Sequence, residues 1–210
     1  MNKGVGNIIN VSAILVMAKN GDMDAIIAAC RKSLVEKAAK ERGGNALLKR
    51  TKAAHKIFSS IEDYRIPQWG SVIKNMPDGS KVQCFVNSYY AFTLYDELEG
   101  IPIGDPEKAI DVCQFVKDVE NRKPDMVEAA IDIAAVKAYI MEHNASAKGR
   151  YKPPPIYDTG KVSYNAQGII NCFAILGGNI KMYHDENNPA SAAFLESENG
   201  KAMLLPVTRK

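Results

Sequence analysis

Twice in the last third of this chain, a strand-like pattern gives way to a helical period. In "MVEAAIDIAAVKAYIMEHN" the alternating set Val127, Ala129 and Ile131 passes into the helical set Ile133, Val136 and Ile140. In "KVSYNAQGIINCFAILGG" a short strand passes into a helix with Ile169, Ile170, Phe173 and Leu176 facing inward. Side chains alternate across a strand but stripe one side of a helix, so each switch leaves a sheet face and a helix stripe to bury together. Helices packed on an antiparallel sheet satisfy both, and the fold class expected is α+β.

Gly177-Gly178 closes the second helix, and three strand-like runs follow: "NIKMYHD", "SAAFLES" and "AMLLPVTR". Turns at Asn187-Asn188-Pro189 and Glu198-Asn199-Gly200 separate them. Pro206 lies in the last run and lacks the N–H a central strand needs, so that run is expected at an edge or terminal position. Further upstream, "SVIKNM" and "KVQCFVNSYYAFTLYD" flank Pro77-Asp78-Gly79 and read as a hairpin. Proline presets φ there and glycine accepts positive φ. Val82, Cys84 and Val86 make one face of the second strand, and Tyr89, Tyr90, Phe92 and Tyr95 read as core or cross-strand aromatics. "EKAIDVCQFVKDVEN" reads as a shorter helix or a strand–helix element.

The N-terminal third is helical in pattern. Residues 22–42 carry Met23, Ile26 or Ile27, Cys30, Leu34 and Ala38 at helical spacing, with Asp22 or Asp24 as cap. Gly43-Gly44 ends this helix, and Asn45 can cap a second one over about 46–61 with Leu47, Ala54, Phe58 and Ile61 as its apolar face. Lys49, Lys52 and Lys56 form a stripe on its other side.

Charge is unevenly spread along the chain. The net charge is only +3, yet residues 1–60 carry 11 Lys/Arg against 4 Asp/Glu, and residues 61–140 carry 8 against 14. Between 31 and 56, nine cations face only Glu36 and Glu41. Such a helix pair is suited to sequence-independent contact with phosphates. No recognition-helix or base-stacking motif accompanies it, so base-specific readout is not expected.

Several function classes lose their signature. GxxxxGK[ST], GxGxxG, GxSxG and HExxH are all absent from the sequence. Glu142-His143 and His184-Asp185-Glu186 place neighbours on diverging directions, and both read as solvated surface. Nothing argues for an enzyme, a cofactor or a metal. The four cysteines are scattered without a CxxC pair, and no stretch nears the roughly 20 apolar residues a membrane helix needs. "VSAILVMA" is too short for a signal peptide with its cleavage site. A reduced, cytoplasmic protein is expected.

Residues 164–210 resemble the last repeat of bacterial DNA sliding clamps, the β subunits of the replicative polymerase. Asn165, Leu176, Asn188-Pro189 and Leu204-Leu205-Pro206-Val207 follow the order of that family's Asn-initiated helix, hairpin and final "LMPVRL"-type strand. Thr208 stands where the family's Arg follows, with Arg209 one place later. Val86-Asn87-Ser88-Tyr89-Tyr90-Ala91 occupies the place of the family's "aTDGyRL" strand, with Asn87, Ser88 and Tyr90 as departures.

The resemblance implies one clamp-like domain over 1–210: a first repeat in 1–120 with extra N-terminal helices, and a second in 121–210. It implies helices that present cations to duplex DNA and sheets that form an outer wall. The DNA-contact residues would be Arg31, Lys32, Lys37, Lys40, Lys49, Arg50, Lys52 and Lys56. Leu204, Leu205, Pro206 and Val207, with Tyr89 and Tyr90, would form a pocket for peptides from polymerase or other replication proteins. Ring closure would need several copies, hence a homo-oligomer. An alternative keeps the fold and drops DNA: an interaction protein, phage-encoded, that binds a host replication or defence protein.

Overall fold

The computed structural model describes residues 11–59, 61–146 and 153–207; Thr208 and Arg209 lie outside them. Two helices open the described chain, α1 (Val11–Lys19) and α2 (Met23–Phe58). Asp22 caps α2 as expected, its Oδ1 accepting from the Ala25 N–H at 3.0 Å. The two glycines then break it. Gly43 sits at φ −135°, ψ 18° and Gly44 at φ 64°, ψ −153°, a region that side-chain-bearing residues essentially do not occupy. The chain folds back there, so that Glu36 of the first arm meets Lys52 of the second at 2.9 Å. α2 is thus a helical hairpin. Its second arm ends at Phe58, short of the expected 61, but buries the expected Leu47, Ala54 and Phe58.

The short helix α3 (Ile66–Trp69) leads into strands β1 (Val72–Asn75), β2 (Lys81–Val86) and β3 (Tyr90–Leu94). β1 and β2 form the expected hairpin about Pro77-Asp78-Gly79. The run expected as one strand from Lys81 to Asp96 is instead two. Asn87 turns the chain: its side-chain oxygen accepts from the Tyr89 N–H at 3.3 Å, and its own N–H donates to the Tyr90 carbonyl at 2.8 Å. A short polar side chain that bonds its own backbone two residues on is a turn former, and here it converts a long strand into a meander.

Helix α4 (Val112–Glu120), the two-residue strand β4 (Val127–Glu128) and helix α5 (Ile133–Ser146) come next. The small hairpin β5 (Ile156–Asp158) and β6 (Ser163–Asn165) runs directly into helix α6 (Ala166–Leu176). Asn165 caps α6 as expected, its side chain accepting from the N–H groups of Gln167 at 2.9 Å and Gly168 at 3.2 Å. Strands β7 (Lys181–His184), β8 (Ala193–Ser197) and β9 (Gly200–Leu204) complete the chain.

Seven strands make one sheet in the order β1-β2-β3-β9-β8-β7-β4, with antiparallel neighbours throughout. A helix followed by a three-strand meander occurs twice, as α2 with β1-β2-β3 and α6 with β7-β8-β9. The two meanders join at the β3–β9 pair. β9 is therefore a central strand, not the edge expected from Pro206. The conflict resolves at Leu204, where the ladder ends. Leu205 N–H donates to the Tyr89 carbonyl and Val207 N–H to the Ser163 carbonyl, both at 2.8 Å, while Pro206 bridges toward Tyr164. The proline sits just past the last position that requires a donor.

Both faces of the sheet are covered. Phe85, Tyr90, Phe92, Leu94, Leu195 and Leu204 point into a core shared with the second arm of α2, with α6 and with Val136 of α5. Gly168 lets α6 come close, since a Cβ at that position would lie 3.1 Å from Leu204 Cδ1. Phe85 meets Phe58 edge-on at 5.3 Å and Phe92 in a tilted arrangement at 5.0 Å, and an aromatic pair of this kind adds about 0.5–1.5 kcal/mol beyond its burial. On the opposite face Val82, Cys84, Ala91 and Phe194 pack under Val112, Val116 and Val119 of α4. This is the face the resemblance gives to the outer wall, and here α4 lies across it. His184, expected on a solvated surface, is buried on β7, its Nδ1 3.0 Å from the Thr159 hydroxyl.

Gly44 offers a clean test of the hairpin, because a Cβ there would meet nothing within 4 Å and only the backbone would object. Gly44→Ala is expected to cost about 1–3 kcal/mol of unfolding free energy, measured by urea denaturation with an unchanged m-value.

Candidate nucleic-acid interface

The hairpin brings the cations together and sorts them into classes that the sequence does not distinguish. Arg50 leaves the surface altogether. Its side chain is only 5% exposed, and its Nε donates to the Ile175 carbonyl at 2.7 Å. One terminal nitrogen reaches Asp96 Oδ2 at 2.9 Å and the other reaches the Asn199 carbonyl at 3.4 Å. The Ile175 carbonyl belongs to the last turn of α6, where carbonyls lack helical partners and a cation is favoured. Arg50 is a structural tie, and its expected DNA contact is corrected on that ground.

Lys37 and Lys52 spend part of their charge locally. Lys37 lies 3.9 Å from Glu41, one turn on, and Lys52 holds Glu36 across the hairpin. Arg31, Lys32, Lys40, Lys49 and Lys56 are exposed and have no ion-pair partner among the described residues. Lys49 borders a broad cavity of about 1030 Å³ beside Arg42, Asp96 and Glu198. The stripe Lys49, Lys52 and Lys56 is therefore divided between two concave regions.

The second region is the groove between the arms, about 460 Å³. Lys32 and Glu36 line it from the first arm; Thr51, Lys52, His55, Lys56 and Ser59 line it from the second. Thr51 is fully buried, and its hydroxyl has no hydrogen-bond partner among the described residues. His55 Nε2 sits 3.0 Å from the Glu99 carbonyl, which accepts the ring proton and leaves Nδ1 as the acceptor nitrogen of the neutral imidazole. Arg42 closes the bend of the hairpin onto the loop after β3, donating to Glu99 at 3.2 Å and to the Glu97 carbonyl. Three lysines against one glutamate, with an unpaired hydroxyl at the floor, suit a phosphate oxygen. Thr51, His55 and Ser59 escaped the sequence reading, although their four-residue spacing was visible there.

The six residues expected to form a peptide pocket are separated by the alternation of β3 and β9. Leu204 and Tyr90 are opposite each other in the ladder and both face the core; the Tyr90 hydroxyl accepts from Asn171 Nδ2 at 3.2 Å, and burial pushes it up to about 12. Leu205 and Tyr89 are exposed at 39% and 56%, joined by the Leu205 N–H to Tyr89 carbonyl bond. Pro206 and Val207 are half-buried. What faces outward is a two-residue apolar patch rather than a six-residue pocket.

Comparison with protein-family models, curated proteins and solved structures finds no match to this chain. Among the described residues no group of three or more His, Cys, Asp or Glu is arranged to hold a metal ion. None of the described helices is long and apolar enough to cross a membrane.

The separation of structural from exposed cations is open to measurement. Arg50→Ala orphans the buried Ile175 carbonyl and removes a packed stem, with an expected loss of about 2–4 kcal/mol. Arg31→Ala, at an exposed site, is expected to stay within about 0.5 kcal/mol. Thermal unfolding of the two variants beside the parent provides the check.

Proposed function

We propose that this protein is a clamp-like, non-enzymatic DNA-associated protein that contacts the duplex backbone through the α2 hairpin. The observation that carries the reading is the set of five exposed cations on that hairpin, Arg31, Lys32, Lys40, Lys49 and Lys56, unpaired among the described residues, beside a groove whose buried Thr51 hydroxyl has no partner among them. Phosphate contact releases condensed counterions and needs no base readout, which fits a surface of lysines without aromatic platforms. The twofold recurrence of helix and three-strand meander supports a clamp-like architecture. Within it, the second arm of α2 and α6 lie side by side on one sheet face, the position the resemblance gives to DNA-facing helices. α6 adds no Lys or Arg of its own, so α2 carries the electrostatic contact. Replication proteins would be recruited at Leu205 and Tyr89, the exposed pair at the end of the central strands. Copies of the chain would assemble to encircle DNA.

A second reading, that the hairpin docks a protein partner instead, draws on its apolar surface. Leu15, Val16, Met23, Ile27 and Leu34 are all exposed large hydrophobics on α1 and the first arm of α2. Exposed groups of this kind mark protein interaction sites when they are contiguous.

Fluorescence anisotropy of a labelled duplex against rising salt separates the two. Five phosphate contacts predict a log–log slope of roughly −4.5, and Lys32→Gln or Lys56→Gln should each reduce it by about 0.9. Thr51→Val, which keeps the shape and removes the hydroxyl, should leave folding intact and weaken binding at fixed salt. Salt-independent binding, or none, would sink the DNA reading and leave the protein-docking one.

For the recruitment patch, Leu205→Asp should abolish capture of replication proteins while preserving the circular dichroism spectrum. Leu204→Asp, which buries a charge in the core, should unfold the protein.

A further inference from the structure

The sheet face away from the hairpin carries chemistry that DNA contact does not use. Cys84 on β2 and Cys113 on α4 bring their sulfurs to 2.6 Å, and both are free thiols. Cys84 is buried beneath α4, and Cys113 is half-buried at the edge of a cavity of about 390 Å³. Lys74, Lys117 and Lys201 line the same cavity. Lys74 Nζ reaches Asp111 Oδ1 at 2.5 Å, and Asp111 in turn caps α4 by accepting from the Gln114 N–H at 3.2 Å. The ammonium is thereby fixed beside the thiols.

The two sulfurs are chemically unequal. Hydrogen bonding from Cys84, with the positive charge of Lys74, holds Cys113 down to about 7. That same hydrogen bond, with burial, pushes Cys84 up. One thiol is accessible and partly ionised at neutral pH; its neighbour is protonated, buried and within bonding reach. This is the division of labour between an attacking and a resolving cysteine.

We propose that Cys84 and Cys113 are a reversible oxidation site, joined by exchange with a small anionic disulfide such as oxidised glutathione. The Cys113 thiolate attacks one glutathione sulfur, the S–S bond breaks, and one glutathione leaves as thiolate. Cys84 passes its proton to solvent and attacks the Cys113 sulfur of the mixed disulfide, releasing the second glutathione as thiolate. Two protein thiols are oxidised, and one glutathione disulfide is reduced to two glutathione thiols. The cavity sets three lysines against Asp111 and Glu120; Lys74 and Lys201 are paired with those two, so Lys117, with no ion-pair partner among the described residues, is the cation left to receive a carboxylate of that reagent. The product fastens α4 to β2, closing the chain between residues 84 and 113.

The experiment treats the full chain with oxidised glutathione, alkylates the remaining thiols and weighs the intact protein. The expected mass is that of two alkyl groups on a protein lighter by two hydrogens, with peptide mapping placing the link at Cys84–Cys113. The thermal midpoint should rise by roughly 5–10 °C, and dithiothreitol should reverse both changes. Cys84→Ser should stop at a glutathione adduct on Cys113, and Cys113→Ser should leave Cys84 unmodified. Four alkylated cysteines after treatment, a persistent adduct on the parent protein, or a link through Cys30 or Cys172 would each overturn the proposal. The readouts need no DNA, so they stand or fall apart from the duplex-binding measurements.

Discussion

Arg50 is the group on which the arrangement of the two halves depends. A buried guanidinium is tolerable only when its donors are used, and here they go to three places remote in sequence. These are the last turn of α6 through Ile175, the end of β3 through Asp96, and the β8–β9 turn through Asn199. One side chain on the second arm of α2 thus joins the first meander, the second meander and the helix that precedes the second. The planar fork of arginine suits three simultaneous acceptors in a way a lysine's ammonium does not. Asn199 reinforces the same corner by donating from its side chain to the Leu176 carbonyl at 2.9 Å.

From that corner the β3–β9 seam runs between the two meanders. Every residue of both strands is paired, from Tyr90 with Leu204 to Leu94 with Gly200. Burial on both faces explains the composition of the seam: Tyr90, Phe92, Leu94, Ala202 and Leu204 serve one core, while Ala91 and Met203 serve the other. It also explains why only residues beyond the ladder are free to meet a partner. Leu204 is committed by its core contacts, whereas Leu205, one step later and on the other side of the chain, is not.

What could be read from the sequence was local. The caps at Asp22 and Asn165, the break at Gly43-Gly44 and the Pro-Asp-Gly hairpin each depend on a few adjacent atoms, and each stands where expected. The second strand-to-helix switch stands for the same reason, β6 running straight into α6; in the first, the strand shrank to Val127–Glu128 and four residues separate it from α5. What could not be read depended on distant partners. A lysine and an arginine one position apart, Lys49 and Arg50, look alike in a charge pattern, yet one is exposed and the other buried. The difference lies in Ile175 and Asn199, more than a hundred residues away. The central placement of β9 and the meeting of Cys84 with Cys113 are likewise consequences of topology. The turn at Asn87 was the exception, a local signal hidden within a run of strand-forming residues.

The sheet separates two kinds of chemistry. On one face, α2 presents exposed cationic side chains, whose pull on any polyanion falls as salt screens it. On the other, the Lys74 ammonium stands near two touching sulfurs in a partly buried site, where screening matters less. Cys84 packs in the second core and Phe85, the next residue, in the first, so a shift of β2 by one position would exchange their faces. The pairing register that holds Phe85 against Phe58 therefore also holds Cys84 against Cys113. Fastening α4 to β2 would restrain that register from the thiol side, and through Phe85 and Phe58 the restraint reaches the second arm of the basic hairpin.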